Sequence, residues 1–122
     1  MMTLSVLVVE DEAIIALYLR RQLTGEGWNV AGMASTGDEA VRLALELMPD
    51  VVLMDISLSG AMDGIEAARR IRAVGGPPVV FCTSYDDADT RDRAAVAGAL
   101  AFMSKPVDVK ALRGMVEGRR PG

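Results

Sequence analysis

Hydrophobic residues occur along the chain in short runs that alternate with longer stretches of helical spacing. The first and third runs are almost wholly apolar and stop abruptly at acidic residues, as strands buried on both faces do. The second run is less apolar, which suits a strand at or near a sheet edge. We therefore predict five strands, at residues 4–9, 28–34, 51–54, 79–82 and 100–103.

Between these runs the apolar positions change to a period of three or four residues. Ile15, Leu19 and Leu23 recur every four residues in a first helix over about 12–25, and Gly25 is placed to close it. Strands that alternate with helices indicate βα repeats, so we expect a doubly wound α/β fold whose parallel sheet has helices on both faces. The later helices are predicted to begin near residue 38, run through 65–71, span 86–97 and begin at 108.

Composition narrows the possible functions. A length of 122 residues with 51% apolar and 25% charged residues fits one folded domain. A net charge of −4 without a basic cluster argues against direct nucleic-acid binding. With no His and only Cys82, the chain has no internal disulfide, zinc cage or histidine base. The longest low-polarity run, 94–103, is too short to cross a membrane, so we expect a cytoplasmic protein without membrane contact.

Polar residues with complementary chemistry follow four of the predicted strands. Glu10 and Asp11 follow the first strand, Asp55 the third, Thr83 the fourth, and Lys105 comes two residues after the fifth. Because the carboxyl ends of parallel strands share one edge, we expect these side chains to converge. Three adjacent carboxylates repel one another, and a hard divalent cation such as Mg²⁺ relieves that repulsion.

Each of these residues also has an ordinary structural interpretation. Asp11 could cap a helix, Thr83 could cap the fourth helix, and Asp55 could cap the loop that follows it. Lys105 alone could be a solvated surface residue. The occurrence of two acids, a hydroxyl and an ammonium at four strand ends favours a functional site.

Five motifs between residues 5 and 117 occur in a characteristic order: Val8-Val9-Glu10-Asp11-Glu12, Asp55, Asp63-Gly64-Ile65-Glu66, Thr83-Ser84 and Lys105-Pro106. Together they resemble the receiver domain of two-component response regulators. The resemblance implies a flavodoxin-like (βα)5 three-layer sandwich with strand order 2-1-3-4-5. We accordingly expect a receiver domain over 1–118, a short tail at 119–122 and no output domain.

The resemblance also implies a function and a metal site. Asp55 would accept a phosphoryl group from a phosphohistidine on a sensor histidine kinase or a histidine phosphotransfer protein. Mg²⁺ would be held by Glu10, Asp11, Asp55 and the backbone carbonyl of Ser57. Such a domain catalyses its own phosphorylation and hydrolysis, but it is not a metabolic enzyme.

Further roles implied by the resemblance concern binding of the phosphoryl group and the conformational response. Lys105 would pair with one phosphoryl oxygen, and the Thr83 hydroxyl would donate to another. Phe102 would swing inward as Thr83 moves, which would change the surface formed by the fourth helix, fifth strand and fifth helix. The peptide bond between Lys105 and Pro106 would be cis.

The chain departs from the family pattern at three places. Glu10 stands where Asp is commoner, which lengthens one ligand arm. The loop after Asp55 is one residue longer than in many relatives and has Ser59 and Gly60 in place of a proline. Phe102 replaces a frequent Tyr, so its ring has no hydroxyl to form a hydrogen bond.

Three other functions compete with this one. A Mg²⁺-dependent phosphatase with an aspartyl nucleophile commonly needs a second acid two residues later, where this chain has Ser57. Flavin binding needs a phosphate loop after the first strand, where Glu10 and Asp11 would repel the ligand. A phosphorylation-independent protein-binding module is the remaining alternative, and the intact acceptor set argues against it.

Overall fold

A computed structural model describes residues 3–84 and 87–118. Its strands, in chain order, are β1 (Ser5–Val9), β2 (Asn29–Ala34), β3 (Val51–Asp55), β4 (Val79–Thr83) and β5 (Ala101–Ser104). The helices that alternate with them are α1 (Ala13–Gly25), α2 (Gly37–Leu47), α3 (Gly64–Ala73), α4 (Ala88–Val96) and α5 (Val109–Glu117).

The strands form one sheet in the order β2-β1-β3-β4-β5. Every neighbouring pair is parallel. The predicted doubly wound α/β fold with order 2-1-3-4-5 is confirmed. In this order β3 is central, and every one of its residues is buried, which explains why its sequence reads as a continuous apolar run.

The element boundaries differ from the predicted ones in small ways that matter for the site. Asp55 and Thr83 are the last residues of β3 and β4 rather than the first residues beyond them. Helix α1 ends at Gly25 as expected, but the left-handed backbone that turns the chain lies at Gly27, with φ 85°. The predicted start of the fourth helix at residue 86 and the predicted tail at 119–122 lie outside the described residues.

The sheet separates two apolar clusters. Leu7, Met54 and Phe81 point toward the cluster covered by α2, α3 and α4. The alternate residues of the same strands, such as Val8 and Leu53, point toward the cluster covered by α1 and α5. Within the described part of the chain, no helix has the length and apolar character needed to cross a membrane.

Candidate functional site

The carboxyl edge of the sheet brings three acidic side chains together. One carboxylate oxygen each of Glu10, Asp11 and Asp55 lies within 4.8 Å of the others. Glu10 is only 3% exposed and Asp55 only 4% exposed, while Asp11 reaches the surface. Buried carboxylates this close to each other repel unless a cation offsets their charge.

Lys105 supplies one such cation. Its Nζ lies 2.8 Å from Oε2 of Glu10 and 3.3 Å from Oδ2 of Asp55. The residue follows β5, which is two strands away from β3, so a long side chain is needed to span a separation of about 10 Å. Burial alone lowers the pKa of Lys105, but the hydrogen bond to Glu10 and the charges of Asp55 and Glu10 outweigh it and raise that pKa. The ammonium is therefore charged at neutral pH.

The surroundings of Asp55 change its acidity. Burial and the negative charge of Glu10 raise the pKa of Asp55 to about 6, although the charge of Lys105 and the Ser57 N–H act in the opposite direction. Oδ1 accepts a hydrogen bond of 3.1 Å from the Ser57 N–H, so this residue does cap its own loop. Its other oxygen contacts Lys105, so capping of the loop explains the contact of only one of the two carboxylate oxygens.

Two of the ordinary structural interpretations do not hold. The N-cap of α1 is Glu12, which makes no side-chain capping bond, whereas Oδ2 of Asp11 accepts a hydrogen bond of 3.1 Å from the Ser59 hydroxyl. The N-cap of α4 is Asp87, whose side chain accepts from a backbone N–H within the helix. Neither Asp11 nor Thr83 therefore serves as a helix cap.

Thr83 and Lys105 lie at the same edge as the acids. Asp55 pairs in register with Cys82, which places Thr83 one residue beyond that pairing at the end of β4. Thr83 is buried, and its carbonyl accepts a hydrogen bond of 2.9 Å from the Lys105 N–H. The peptide bond between Lys105 and Pro106 is cis. Ser57 is exposed in the loop that follows Asp55.

Phe102 does not join the charged cluster. It lies on β5 opposite Phe81 and packs, half-buried, against the apolar cluster beneath α2, α3 and α4. The guanidinium of Arg91 on α4 lies 5.2 Å from the centroid of its ring. Phe102 therefore connects β5 to α4 rather than to the acidic residues.

Two contacts at the site were not predicted. The hydrogen bond from Ser59 to Asp11 joins residues 48 positions apart, and a serine in an exposed loop carries no periodic signal that could reveal it. Gly64, at the start of α3, lies so close to the Asp55 carbonyl oxygen that a Cβ atom could not be accommodated. The Asp63-Gly64 motif is the one signal in the sequence that could have pointed to this second contact, although its spacing does not say which atoms meet.

Comparison with known proteins finds relatives that match most of the chain. The response regulator receiver domain family matches residues 6–117. The transcriptional regulatory protein PdtaR of Mycobacterium tuberculosis is 39% identical over 112 residues, which cover 92% of this chain and 54% of that protein. The chain thus spans about half the length of this curated relative.

Solved structures show the same architecture. The signal receiver domain of a modulated diguanylate cyclase from Desulfovibrio desulfuricans has a TM-score of 0.86 and 40% identity, covering 96% of this chain and 93% of that one. The receiver domain of a sensor histidine kinase from Pseudomonas aeruginosa, with a magnesium ion coordinated in the active site cleft, has a TM-score of 0.82 and 27% identity. That likeness covers 96% of this chain and 97% of the other. By its sequence and by its fold, the chain belongs to the response regulator receiver domain family.

Proposed function

We propose that this domain accepts a phosphoryl group on Asp55 and signals by changing the surface around α4, β5 and α5. The observation that carries the proposal is the placement of Asp55. Its carboxylate is buried at the end of the central strand, next to Glu10, with one oxygen 3.3 Å from the Lys105 ammonium. A buried acid between a like charge and a cation is a costly arrangement for stability alone, which favours a chemical role.

Transfer of the phosphoryl group needs Asp55 in its ionised form. A carboxylate oxygen attacks the phosphorus of a phosphohistidine, so that an O–P bond forms while the N–P bond breaks and its electron pair stays on the imidazole nitrogen. A pKa of about 6 makes this carboxylate more basic than an ordinary one, yet leaves most of it ionised near neutral pH. The Lys105 ammonium pairs with one phosphoryl oxygen, and the Thr83 hydroxyl donates to another.

The donor set suits Mg²⁺, because carboxylate and carbonyl oxygens are its preferred protein ligands. Asp11, Asp55 and the Ser57 carbonyl would hold the ion directly. Both oxygens of Glu10 already have partners, Lys105 at 2.8 Å and the Glu12 N–H at 3.2 Å, which favours contact through water. When bound, Mg²⁺ would offset negative charge on the transferring oxygens.

Signalling then depends on the side of the molecule that carries α4. Within this helix only Ala94 is buried, so few apolar contacts hold it to the sheet. New charge on Asp55 attracts the Thr83 hydroxyl, and the space left behind admits the ring of Phe102. Because Arg91 lies over that ring, an inward movement of Phe102 removes a contact that joins α4 to β5.

The phosphoryl donor would be a sensor histidine kinase or a histidine phosphotransfer protein. An exposed apolar patch on α1 would suit docking of such a protein. It consists of Ile14, Leu17 and Tyr18, which are 84%, 55% and 56% exposed. Helix α1 begins at Ala13, two residues after Asp11, so a partner bound to this face would reach toward the acceptor.

Intact mass measurement tests the proposal. We expect the chain, incubated with Mg²⁺ and acetyl phosphate, to gain the mass of one phosphoryl group in a form labile to hydroxylamine. Asp55→Ala should gain none, while Asp92→Ala, which removes an exposed acid of α4, should behave as the parent chain does. No adduct on the parent chain with any small-molecule donor would contradict the proposal and favour a phosphorylation-independent binding module.

A further inference from the structure

We infer that Ser59 is a positioning residue, whose hydroxyl orients Asp11 for metal binding. This inference rests on the proposed function, because it concerns the same metal site. Ser59 lies in the loop between Asp55 and Gly64, which the sequence predicts to be one residue longer than the family pattern.

The three acids differ in how the protein holds them. Glu10 is held by Lys105 and by the Glu12 N–H, and Asp55 is held by Lys105 and by the Ser57 N–H. Within residues 3–84 and 87–118, the Ser59 hydroxyl is the sole hydrogen-bond donor to the Asp11 carboxylate, at 3.1 Å. Loss of that hydroxyl would therefore free Asp11 to rotate, while the other two acids would keep their orientation.

Ser59 is itself held in place by the backbone. It forms an isolated parallel β-bridge with Thr36, which is the N-cap of α2 and accepts a hydrogen bond of 3.2 Å from the Glu39 N–H. A Cβ atom at Gly37 would lie 2.7 Å from the Met62 carbonyl oxygen, so the loop also packs closely against the first turn of α2. The hydroxyl thus comes from a fixed segment and can hold Asp11 in one orientation.

The geometry leaves Asp11 able to bind a metal ion. The hydrogen bond occupies Oδ2, and a carboxylate has further lone pairs on both oxygens. Outer-shell hydrogen bonds of this kind orient the ligating group, and their loss typically weakens metal affinity about 10- to 100-fold. Because Ser59 is exposed, we expect the lower end of this range, about tenfold.

Calorimetric titration with MgCl2 tests this inference on the whole chain. We expect Ser59→Ala to bind Mg²⁺ about tenfold more weakly than the parent chain. Ser59→Thr, which keeps a hydroxyl, should recover most of the affinity. Ser35→Ala is the matched control, because it removes an exposed hydroxyl from the loop that joins β2 to α2.

Thermal melting distinguishes a positioning role of Ser59 from a purely structural role. Without metal, Ser59→Ala should melt at the same temperature as the parent chain, and the rise in melting temperature on adding Mg²⁺ should be smaller. Equal Mg²⁺ affinity of Ser59→Ala and the parent chain would overturn the inference and leave the proposed function intact. A lower metal-free melting temperature, or no recovery in Ser59→Thr, would also overturn it. Absence of Mg²⁺ binding to the parent chain would overturn both.

Discussion

Two aspartates mark the two ends of the central strand β3, and their surroundings differ. Asp50 precedes the strand, and one of its oxygens accepts hydrogen bonds of 2.7 and 3.2 Å from the N–H and hydroxyl of Ser5. Asp55 ends the strand beside the charged groups of Glu10 and Lys105. The two donors of Ser5, which are neutral, link β1 to β3 through the first carboxylate. Neighbouring charges make the second a candidate for chemistry, because they change its acidity and leave the cluster in need of a cation.

Removing the Lys105 ammonium from the surroundings of Asp55 should have the largest effect on the stability of the domain. Lys105→Ala leaves two buried carboxylates without their ammonium partner, so we expect the free energy of unfolding to fall by about 3–5 kcal/mol at pH 8 without metal. Urea unfolding measures this loss, and added Mg²⁺ should restore part of it. Lys110→Ala, which changes an exposed lysine of α5, should cost no more than about 0.5 kcal/mol. If Lys105→Ala and Lys110→Ala lost equal free energy of unfolding, the charge of Lys105 would not distinguish the surroundings of Asp55 from those of Asp50.

The acidity of Asp55 predicts a dependence of stability on pH. Its pKa is raised from 3.8 to about 6, so the protonated carboxyl is favoured in the folded state. The resulting stability is fully present below about pH 4 and is lost as the pH rises through about 6, by on the order of 3 kcal/mol. With a chelator present, the difference in unfolding free energy between the parent chain and Asp55→Asn should change by this amount over that range. A constant difference would contradict the raised pKa.

Asp50 should matter for stability and not for chemistry. Asp50→Ala leaves the Ser5 N–H without its partner, and we expect a loss of about 2 kcal/mol in the free energy of unfolding. Asp50→Asn keeps an acceptor oxygen and should lose less. Both variants should form the acetyl-phosphate adduct to the same extent as the parent chain, as judged by intact mass. A missing adduct would show that the amino end of β3 also serves the chemistry.

The smallest expected effect concerns Cys82, whose thiol should not react in the folded chain. It pairs with Asp55 across the sheet, and burial, followed by the charge of Asp55, raises the pKa of its thiol to about 12. Because the thiolate is the reactive form, we expect no iodoacetamide labelling of the native chain and full labelling in urea. Rapid native labelling would show that water reaches the strand beside the acceptor.

Much of the fold could be predicted because its signals are local. A parallel sheet covered on both faces requires continuous apolar strands, and the runs at 51–54 and 79–82 have that character. Convergence of Asp55 and Lys105 followed from the topology, since parallel strands end at one edge. Their roles in phosphoryl transfer stay a prediction, because distance and burial describe a site without showing its reaction.

Other contacts could not be predicted because they join segments with no shared pattern. The tie between Ser5 and Asp50 depends on the register of β1 against β3, which no periodicity reveals. The bond between Ser59 and Asp11 depends on how a long loop closes against α2, and the contact of Arg91 with Phe102 depends on the rotation of α4 about its axis. Composition and spacing specify none of these three.

Gly64 also determines how closely α3 approaches the sheet. With no side chain there, the first turn of α3 lies against the backbone of Asp55, and the Gly64 N–H donates to the Ile56 carbonyl at 3.0 Å. Helix α3 buries five residues, among them Ile65 and Ile71, whereas α4 buries only Ala94. Helix α3 is therefore anchored beside Asp55, whereas α4 has few buried contacts that would resist displacement. If Asp55 is phosphorylated as proposed, we expect a partner protein to recognise the change at α4.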